Sequence, residues 1–314
     1  MSEPLLSVCL ITYNHAKYIK EAIEGVLMQK VNFSWELIIA DDFSTDGTRE
    51  ILLEYKKKHS DFIKLILQEK NIGPAKNWMD LLSYPKSKYI AYFEGDDYWT
   101  DPYKLQKQVD FLEANSDFSL CFHNSEVIFS NSKKTQLFNQ LQTREYSLNE
   151  IVYEWIIPTA SVVFRKSAYN QEKINNPNYL YGDIILFISV GENGRIWCIN
   201  EVMSVYRKHE SSLTSNINNT IKLQKKIIKH HEEIRRNFDE KFKAEEDILI
   251  CNNYILLSSM ELRHFKIAFL YSLYRAFKQK PKLFGKLLFA NYRNLFLLVI
   301  NKLKSKFQLV KYNK

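Results

Sequence analysis

The sequence predicts an α/β protein: a mostly parallel, Rossmann-like central sheet flanked by helices, followed by a C-terminal helical extension. Three observations predict it. From the start to about residue 130, short β-branched runs alternate with segments of helical period, as expected of strands joined by crossover helices. The strand-like runs end in polar residues at Thr12-Tyr13-Asn14, at Asp41-Asp42 and at Glu94 to Asp97. Residues 220–314 then carry helical period almost throughout.

Residues 6–12 read as the first strand. Ile19, Ala22, Ile23, Val26 and Leu27 come next, spaced to lay one helix face on a sheet. Residues 36–41 form a second strand, and Asp46-Gly47-Thr48 opens a helix through Tyr55, with Ser44 or Asp46 as its cap. A strand at 62–67, a helix at about 75–82 and a strand at 89–93 continue the alternation. Strands at 118–129 and 160–164, a helix at 183–192 and a strand at 196–206 complete the sheet. The division expected is 1–215 against a helical, basic 216–314.

Composition narrows the class. Hydrophobic residues make up 46% of 314, with Tyr 19 and Phe 20 against Gly 8 and Pro 7, which favours packed structure over disorder. Cys9, Cys121, Cys198 and Cys251 include no Cys-x-x-Cys pair, and three lie in strand-like apolar runs. They read as reduced, buried thiols of a cytoplasmic protein. The N-terminus lacks the features of a signal peptide. The apolar run Leu295 to Ile300 is far short of the about 20 residues that a membrane span needs.

The net charge of +8 hides an asymmetry: after Glu261 there are 13 Lys or Arg and no acid, against 31 basic and 36 acidic residues up to and including it. A basic tail mixed with large apolar residues points to an anionic membrane surface and away from nucleic acid. Leu283, Leu287, Leu288, Phe296, Leu303 and Phe307 alternate with Lys282, Lys286, Arg293, Lys302, Lys304 and Lys306. Helices lying in an interface have this pattern, and core packing is the alternative. His230-His231 falls on a charged helix and reads as surface.

The chemistry concentrates on the polar strand ends, since ligands of open α/β sheets sit outside the carboxyl ends of the strands. Glu94-Gly95-Asp96-Asp97 packs three carboxylates into four residues, which repel one another unless a cation neutralises them. Mn²⁺ or Mg²⁺ takes one or two carboxylates and fills its shell with phosphate oxygens, an arrangement suited to a diphosphate. A carboxylate of Asp41-Asp42 could accept the imide proton of uracil. No Gly-x-Gly-x-x-Gly follows the first strand, which disfavours a dinucleotide-dependent oxidoreductase.

Ser7-Val8-Cys9-Leu10-Ile11-Thr12-Tyr13-Asn14, the Asp-Asp-x-Ser-x-Asp-Gly-Thr element at 41–48, and Asn71-Ile72-Gly73 resemble in combination the family 2 glycosyltransferases, with Glu94 to Asp97 at the place of their Asp-x-Asp turn. The likeness spans roughly residues 5 to 210. It implies a GT-A fold with a nucleotide-binding half at about 1–115, an acceptor half at about 116–215, and inversion at the anomeric carbon. It also implies that Thr12, Tyr13 and Asp42 bind the base, that Asn71 and Lys76 line the nucleotide pocket, and that Asp96 and Asp97 take nucleotide and metal roles. Glu94, the third metal candidate, stands where many members have Asp, and Phe43 replaces a common Gly. Asp183, after Leu180-Tyr181-Gly182, resembles the family's catalytic base, although Asp at a helix start is also an ordinary cap. Arg207 and His209 suit diphosphate contacts, ahead of a polar 210–219 stretch read as a loop that closes over the donor.

The function expected is transfer of a sugar from a nucleotide diphosphate, UDP-linked, to a glycan or lipid-linked acceptor in cell-surface polysaccharide assembly, by a peripheral protein of the inner membrane face. The alternative is a non-catalytic nucleotide-sugar or glycan-binding protein on the same fold.

Overall fold

The structure is a computed structural model that describes residues 3–130, 132–176, 178–209, 220–238, 243–264, 266–289 and 292. The chain forms two compact units: Met1–Pro177 with Tyr181–Asn216, and Asn178–Leu180 with Ile217–Lys314.

In the first unit the order is β1 (Leu6–Thr12), α1 (Ile19–Leu27), β2 (Trp35–Asp41), α2 (Thr48–Lys58), β3 (Ile63–Leu67), α3 (Pro74–Ser83), β4 (Tyr89–Glu94) and β5 (Tyr98–Trp99). Next come α4 (Lys104–Ala114), β6 (Phe118–Phe129), β7 (Ser132–Leu137), β8 (Arg144–Tyr146), α5 (Leu148–Tyr153), β9 (Val163–Arg165), α6 (Gln171–Ile174), α7 (Gly182–Gly191) and β10 (Arg195–Lys208). One sheet runs β3-β2-β1-β4-β9-β6-β10-β5, with β7 paired to β6 and β8 to β10. β1 to β4 are mutually parallel. Beyond β4 the sheet becomes mixed, because β9 lies antiparallel between β4 and β6 while β10 runs parallel to β6. The parallel reading therefore describes the first half.

Strands covered on both faces need apolar residues at successive positions, and Leu6, Val8, Cys9 and Leu10 of β1 are all fully buried. The face of α1 formed by Ile19, Ala22, Ile23 and Val26 joins them in the main core. Gly25 on that helix meets β5 at backbone distance: a Cβ there would lie 2.9 Å from both the N and O of Trp99. Only glycine lets helix and strand approach so closely.

One reading of a cap changes. The N-cap of α2 is Gly47, left-handed at φ 98°, with no side-chain cap bond. Asp46 instead ties two loops, accepting from Thr48 N at 3.0 Å, Thr48 Oγ1 at 2.6 Å and Ala16 N at 2.9 Å. At α5, Ser147 and Glu150 form a reciprocal capping box.

The second unit contains α8 (Ile221–Asn237), α9 (Lys243–Arg263) and α10 (Ala268–Gln279), with a further helical run at 281–289. Its core is built on Ile228, Ile250, Cys251, Tyr254, Ile255, Leu257 and Ala276. The surface reading of the histidine pair fails for His230, which is buried, accepts from Leu180 N at 3.2 Å and is pushed down to about 3 by burial. The amphipathic reading of the tail changes too. Leu287 and Leu288 pack on the core, whereas the outward apolar residues of this region are Ile267, Leu270, Tyr271, Tyr274 and Phe277 of α10 and its start, with Phe289. Phe296, Leu303 and Phe307, with Arg293, Lys302, Lys304 and Lys306, lie outside the described residues. Among the described residues no helix is long and apolar enough to cross a membrane. All four cysteines are free and buried.

Candidate active site

Register brings the polar strand ends together. Thr12 pairs with Asp41 and Ile11 with Glu94, so the three segments meet where the sheet order reverses between β1 and β4, the switch point at which open α/β sheets form a crevice. Asp42 N donates to Thr12 O at 3.0 Å and Gly95 N to Ile11 O at 2.8 Å. The acidic turn sits hard on β1 and α1: a Cβ on Gly95 would be 3.0 Å from Thr12 Cβ, Thr12 Oγ1 and Ile19 Cδ1.

The members of the turn have different surroundings. Asp96 Oδ2 meets His209 Nε2 at 3.0 Å and His15 Nε2 at 3.9 Å. Burial acts to raise the Asp96 carboxyl, but the His209 hydrogen bond and the two imidazoles hold it below its usual range. Burial and the neighbouring Asp96 push Asp97 well up, although its Oδ1 accepts from Arg207 N at 2.9 Å. Glu94 is raised to about 8 by burial, then by Asp96 and Asp183.

Arg207 is committed to the protein itself. Its Nη1 donates to Asp96 O at 2.7 Å and its Nη2 to Glu21 Oε2 at 2.6 Å. The guanidinium lies 4.6 Å from the Tyr18 ring centroid and 5.0 Å from that of Tyr98. In this arrangement it braces the acidic turn. The ring of His209 is tilted against Tyr18, with centroids 4.7 Å apart. Sequence reasoning missed His15, Tyr18 and Glu21; the run from Asn14 into α1 was the only hint, and it reads as an ordinary helix entry.

On the other side of β1, both oxygens of Asp42 are taken by backbone donors, Ile72 N at 2.7 Å and Gly73 N at 3.0 Å. Asp42 thereby ties the Asn71-Ile72-Gly73 loop to the end of β2. Asp41 is buried and holds Arg49 at 2.8 Å, and Arg49 Nη2 donates to Gln68 O at 2.8 Å. Thr12 is buried, while Tyr13, Asn71 and Lys76 are exposed at the rim. Phe43, where the family often has Gly, adopts φ 63°, a left-handed conformation that costs a side-chain-bearing residue energy.

Asp183 falls in the first turn of α7, whose N-cap is Tyr181. Thr159 Oγ1 donates to its Oδ2 at 3.3 Å. Burial raises its affinity for a proton, against the opposing hydrogen bonds of Ile184 N and Thr159. The Asp183 charge acts to raise both Glu94 and Tyr92, so Asp183 lies within electrostatic reach of the first residue of the acidic turn. The predicted site residues on the 210–219 loop side end at His209; residues 210–219 themselves lie outside the described residues.

A divalent cation fits the turn in one way. Asp96 Oδ1 and Asp97 Oδ2 are buried with no hydrogen-bond partner, as is Thr12 Oγ1, and hard oxygen donors left unpaired suit Mg²⁺ or Mn²⁺. Among the described residues no three His, Cys, Asp or Glu side chains form a ready metal site. The donor set therefore suits an ion held by one or two carboxylates, with the rest of its shell supplied by phosphate and water.

A parallel four-strand half, a mixed second half and an acidic turn at the switch point define an α/β fold whose polar strand ends meet on one rim. Solved structures share it. The chain resembles S. aureus TarS 1–349 in complex with UDP-GlcNAc at a TM-score of 0.66 and 20% identity, covering 92% of this chain and 85% of that one. It resembles the mannosyltransferase PcManGT from Pyrobaculum calidifontis, in complex with GDP-Man and Mn²⁺, at a TM-score of 0.57 and 16% identity, covering 95% and 81%. Among curated relatives, an uncharacterized Mycobacterium tuberculosis protein is 38% identical over 65% of this chain, which spans 59% of that protein's length. The putative teichuronic acid biosynthesis glycosyltransferase TuaG of Bacillus subtilis is 30% identical, covering 68% of this chain and 83% of TuaG. The Escherichia coli UDP-Glc:alpha-D-GlcNAc-diphosphoundecaprenol beta-1,3-glucosyltransferase WfgD is 29% identical, covering 69% and 82%. The family model for glycosyl transferase family 2 matches residues 7–175. The fold is of the GT-A type, and the chain belongs to glycosyl transferase family 2.

Proposed function

We propose that this chain is an inverting, metal-dependent glycosyltransferase that moves a hexosyl or N-acetylhexosaminyl group from a UDP-sugar to a glycan or lipid-linked acceptor in surface-polysaccharide assembly. The observation that supports it is the acidic turn itself, where two buried carboxylate oxygens stand unpaired and Glu94 feels the Asp183 charge. The names of TuaG, WfgD and TarS support the donor class and the polysaccharide setting.

Thr12, Tyr13, Asp42, Asn71 and Lys76 bound the nucleotide side. Asp97, with Asp96 and then Glu94 as further candidates, would hold Mn²⁺ or Mg²⁺, which when bound supplies positive charge to the diphosphate. His209 fixes Asp96, and Arg207 fixes the turn. Asp183, its proton affinity raised by burial, accepts the proton of the acceptor hydroxyl as that hydroxyl attacks. The protein acts at the cytoplasmic face of the membrane, which it reaches through the basic C-terminal region; support comes from the outward apolar residues of α10 and the 13 Lys or Arg without an acid after Glu261.

Calorimetry with a panel of UDP-, GDP- and dTDP-sugars, with and without Mn²⁺, tests the reading. Metal-dependent binding of one UDP-sugar is expected, and binding that ignores the metal refutes the site. Asp183→Asn should keep donor binding and lose transfer and donor hydrolysis by about 10²- to 10⁴-fold; unchanged turnover would remove the base assignment.

A further inference from the structure

Against Tyr181, two residues before Asp183, an aromatic residue is left open to solvent. Trp155, just after α5, is 42% exposed. Its ring lies 5.7 Å, centroid to centroid, from that of Tyr181, with the planes inclined at 48°. Tyr181 precedes Asp183 by two residues, and burial followed by the Asp183 charge pushes its phenol up.

Both members of the pair are tied to the candidate base. On the Trp155 side the chain plunges at once into the core, with Ile156 and Ile157 buried, and reaches Thr159, whose hydroxyl donates to Asp183 Oδ2 at 3.3 Å. On the Tyr181 side, Gly182 packs on another aromatic residue, since a Cβ there would lie 3.5 Å from the Trp78 ring. The segment Tyr181-Gly182 that leads into Asp183 thus packs on aromatic residues of two other chain segments, with the Trp155 indole the exposed one. Trp155 reaches the Asp183 segment by two routes, through its ring contact with Tyr181 and through the chain to Thr159.

An exposed indole gains nothing from water, but it matches the C–H-rich face of a pyranose ring, whose hydroxyls project at the edge and stay free to react or to be hydrated. We propose that Trp155, backed by Tyr181, is the platform on which the pyranose residue carrying the acceptor hydroxyl stacks, turning that hydroxyl toward Asp183. This assignment rests on Asp183 lying on the acceptor side.

Saturation-transfer NMR tests it with UDP and the methyl β-glycosides of glucose, galactose and N-acetylglucosamine, on the full chain and on Trp155→Ala and Trp155→Phe. At least one glycoside should receive saturation on its ring C–H protons from the wild type and from Trp155→Phe. In Trp155→Ala its binding should weaken about tenfold, with UDP transfer equal in all three proteins. Glycoside binding in Trp155→Ala at the wild-type level overturns the platform. The indole N–H signal of ¹⁵N-tryptophan-labelled wild type that is absent in Trp155→Phe provides a readout free of any folding defect: it should shift with glycoside, and a signal that stays fixed overturns the proposal. Octyl β-glucoside separates the sources of the ring: saturation reaching its alkyl chain supports a lipid-linked acceptor, and saturation confined to the sugar supports a glycan end. Failure of UDP to bind would defeat the nucleotide-sugar reading, while the glycoside signals still decide the platform.

Discussion

At the scale of single residues, the burial of Lys104 has the clearest consequence. Its ammonium group lies over the Trp99 ring, 4.1 Å from the centroid, with a hydrogen bond to Gln108 Oε1 at 2.9 Å. Burial pushes its pKa from 10.5 down to about 7. Between those values the unfolded chain holds the extra proton and the folded chain releases it, so stability rises with pH across that window and this group adds no slope below it. The contribution reaches at most about 1.4 kcal/mol per pH unit. Lys104→Met should abolish that rise, seen as denaturant midpoints at pH 7 and pH 9 that draw together relative to wild type; equal slopes in both proteins would show that Lys104 stays charged. Arg207 shows what residue type alone leaves out: beside any role toward phosphate, its guanidinium holds Glu21 and the Asp96 carbonyl and lies over two tyrosine rings.

At the scale of elements, the close approach of α1 to β5 fixes the course of the chain just after the acidic turn. Gly25→Ala would press a methyl group to 2.9 Å from the Trp99 backbone, which cannot step aside as a side chain can. A loss of about 1 to 3 kcal/mol, visible as a melting temperature several degrees lower, is expected; an unchanged melt would mean that α1 slides without cost. The alternation of β1 to β4 with α1 to α3 was legible because β1, β2 and β4 are almost wholly buried apolar runs and each helix shows one apolar face. β5 was not, since two residues carry no period. The antiparallel insertion of β9 was equally hidden, because a three-residue strand between β4 and β6 is placed by tertiary pairing and not by local pattern. The capping box at Ser147 and Glu150 could have been read from its Ser-x-x-Glu spacing. Asp96, Asp97 and Asp183 were legible as acids at element ends and His209 as a site candidate, but the pairing of His15 with His209 around Asp96 was not, since the two are 194 positions apart in sequence and meet only through the fold.

At the scale of the whole molecule, charge is distributed by region: acidic residues stop at Glu261 and 13 basic ones come after it. With Ile267 82% and Tyr274 57% exposed, the membrane reading makes a direct prediction. The chain should float with vesicles containing anionic lipid, stay behind with neutral ones, and detach as salt rises, because each lysine near such a surface contributes about 1 kcal/mol. Tyr274→Ser with Phe277→Ser should weaken flotation while leaving UDP binding intact; equal flotation with neutral vesicles would defeat the electrostatic argument.

The short segment Asn178–Leu180 belongs to the second unit although the chain on either side of it belongs to the first. Asn178 Nδ2 donates to Glu233 at 3.3 Å, the Tyr179 hydroxyl accepts from Asn237 at 3.0 Å, and Leu180 N donates to His230 at 3.2 Å. The two units are therefore not interchangeable modules. A recombinant that swapped everything after residue 216 for a foreign anchor would remove these three hydrogen bonds from consecutive residues, and the affected stretch would end three positions before Asp183. Shuffling of C-terminal regions is constrained to partners that also supply a docking place for that segment.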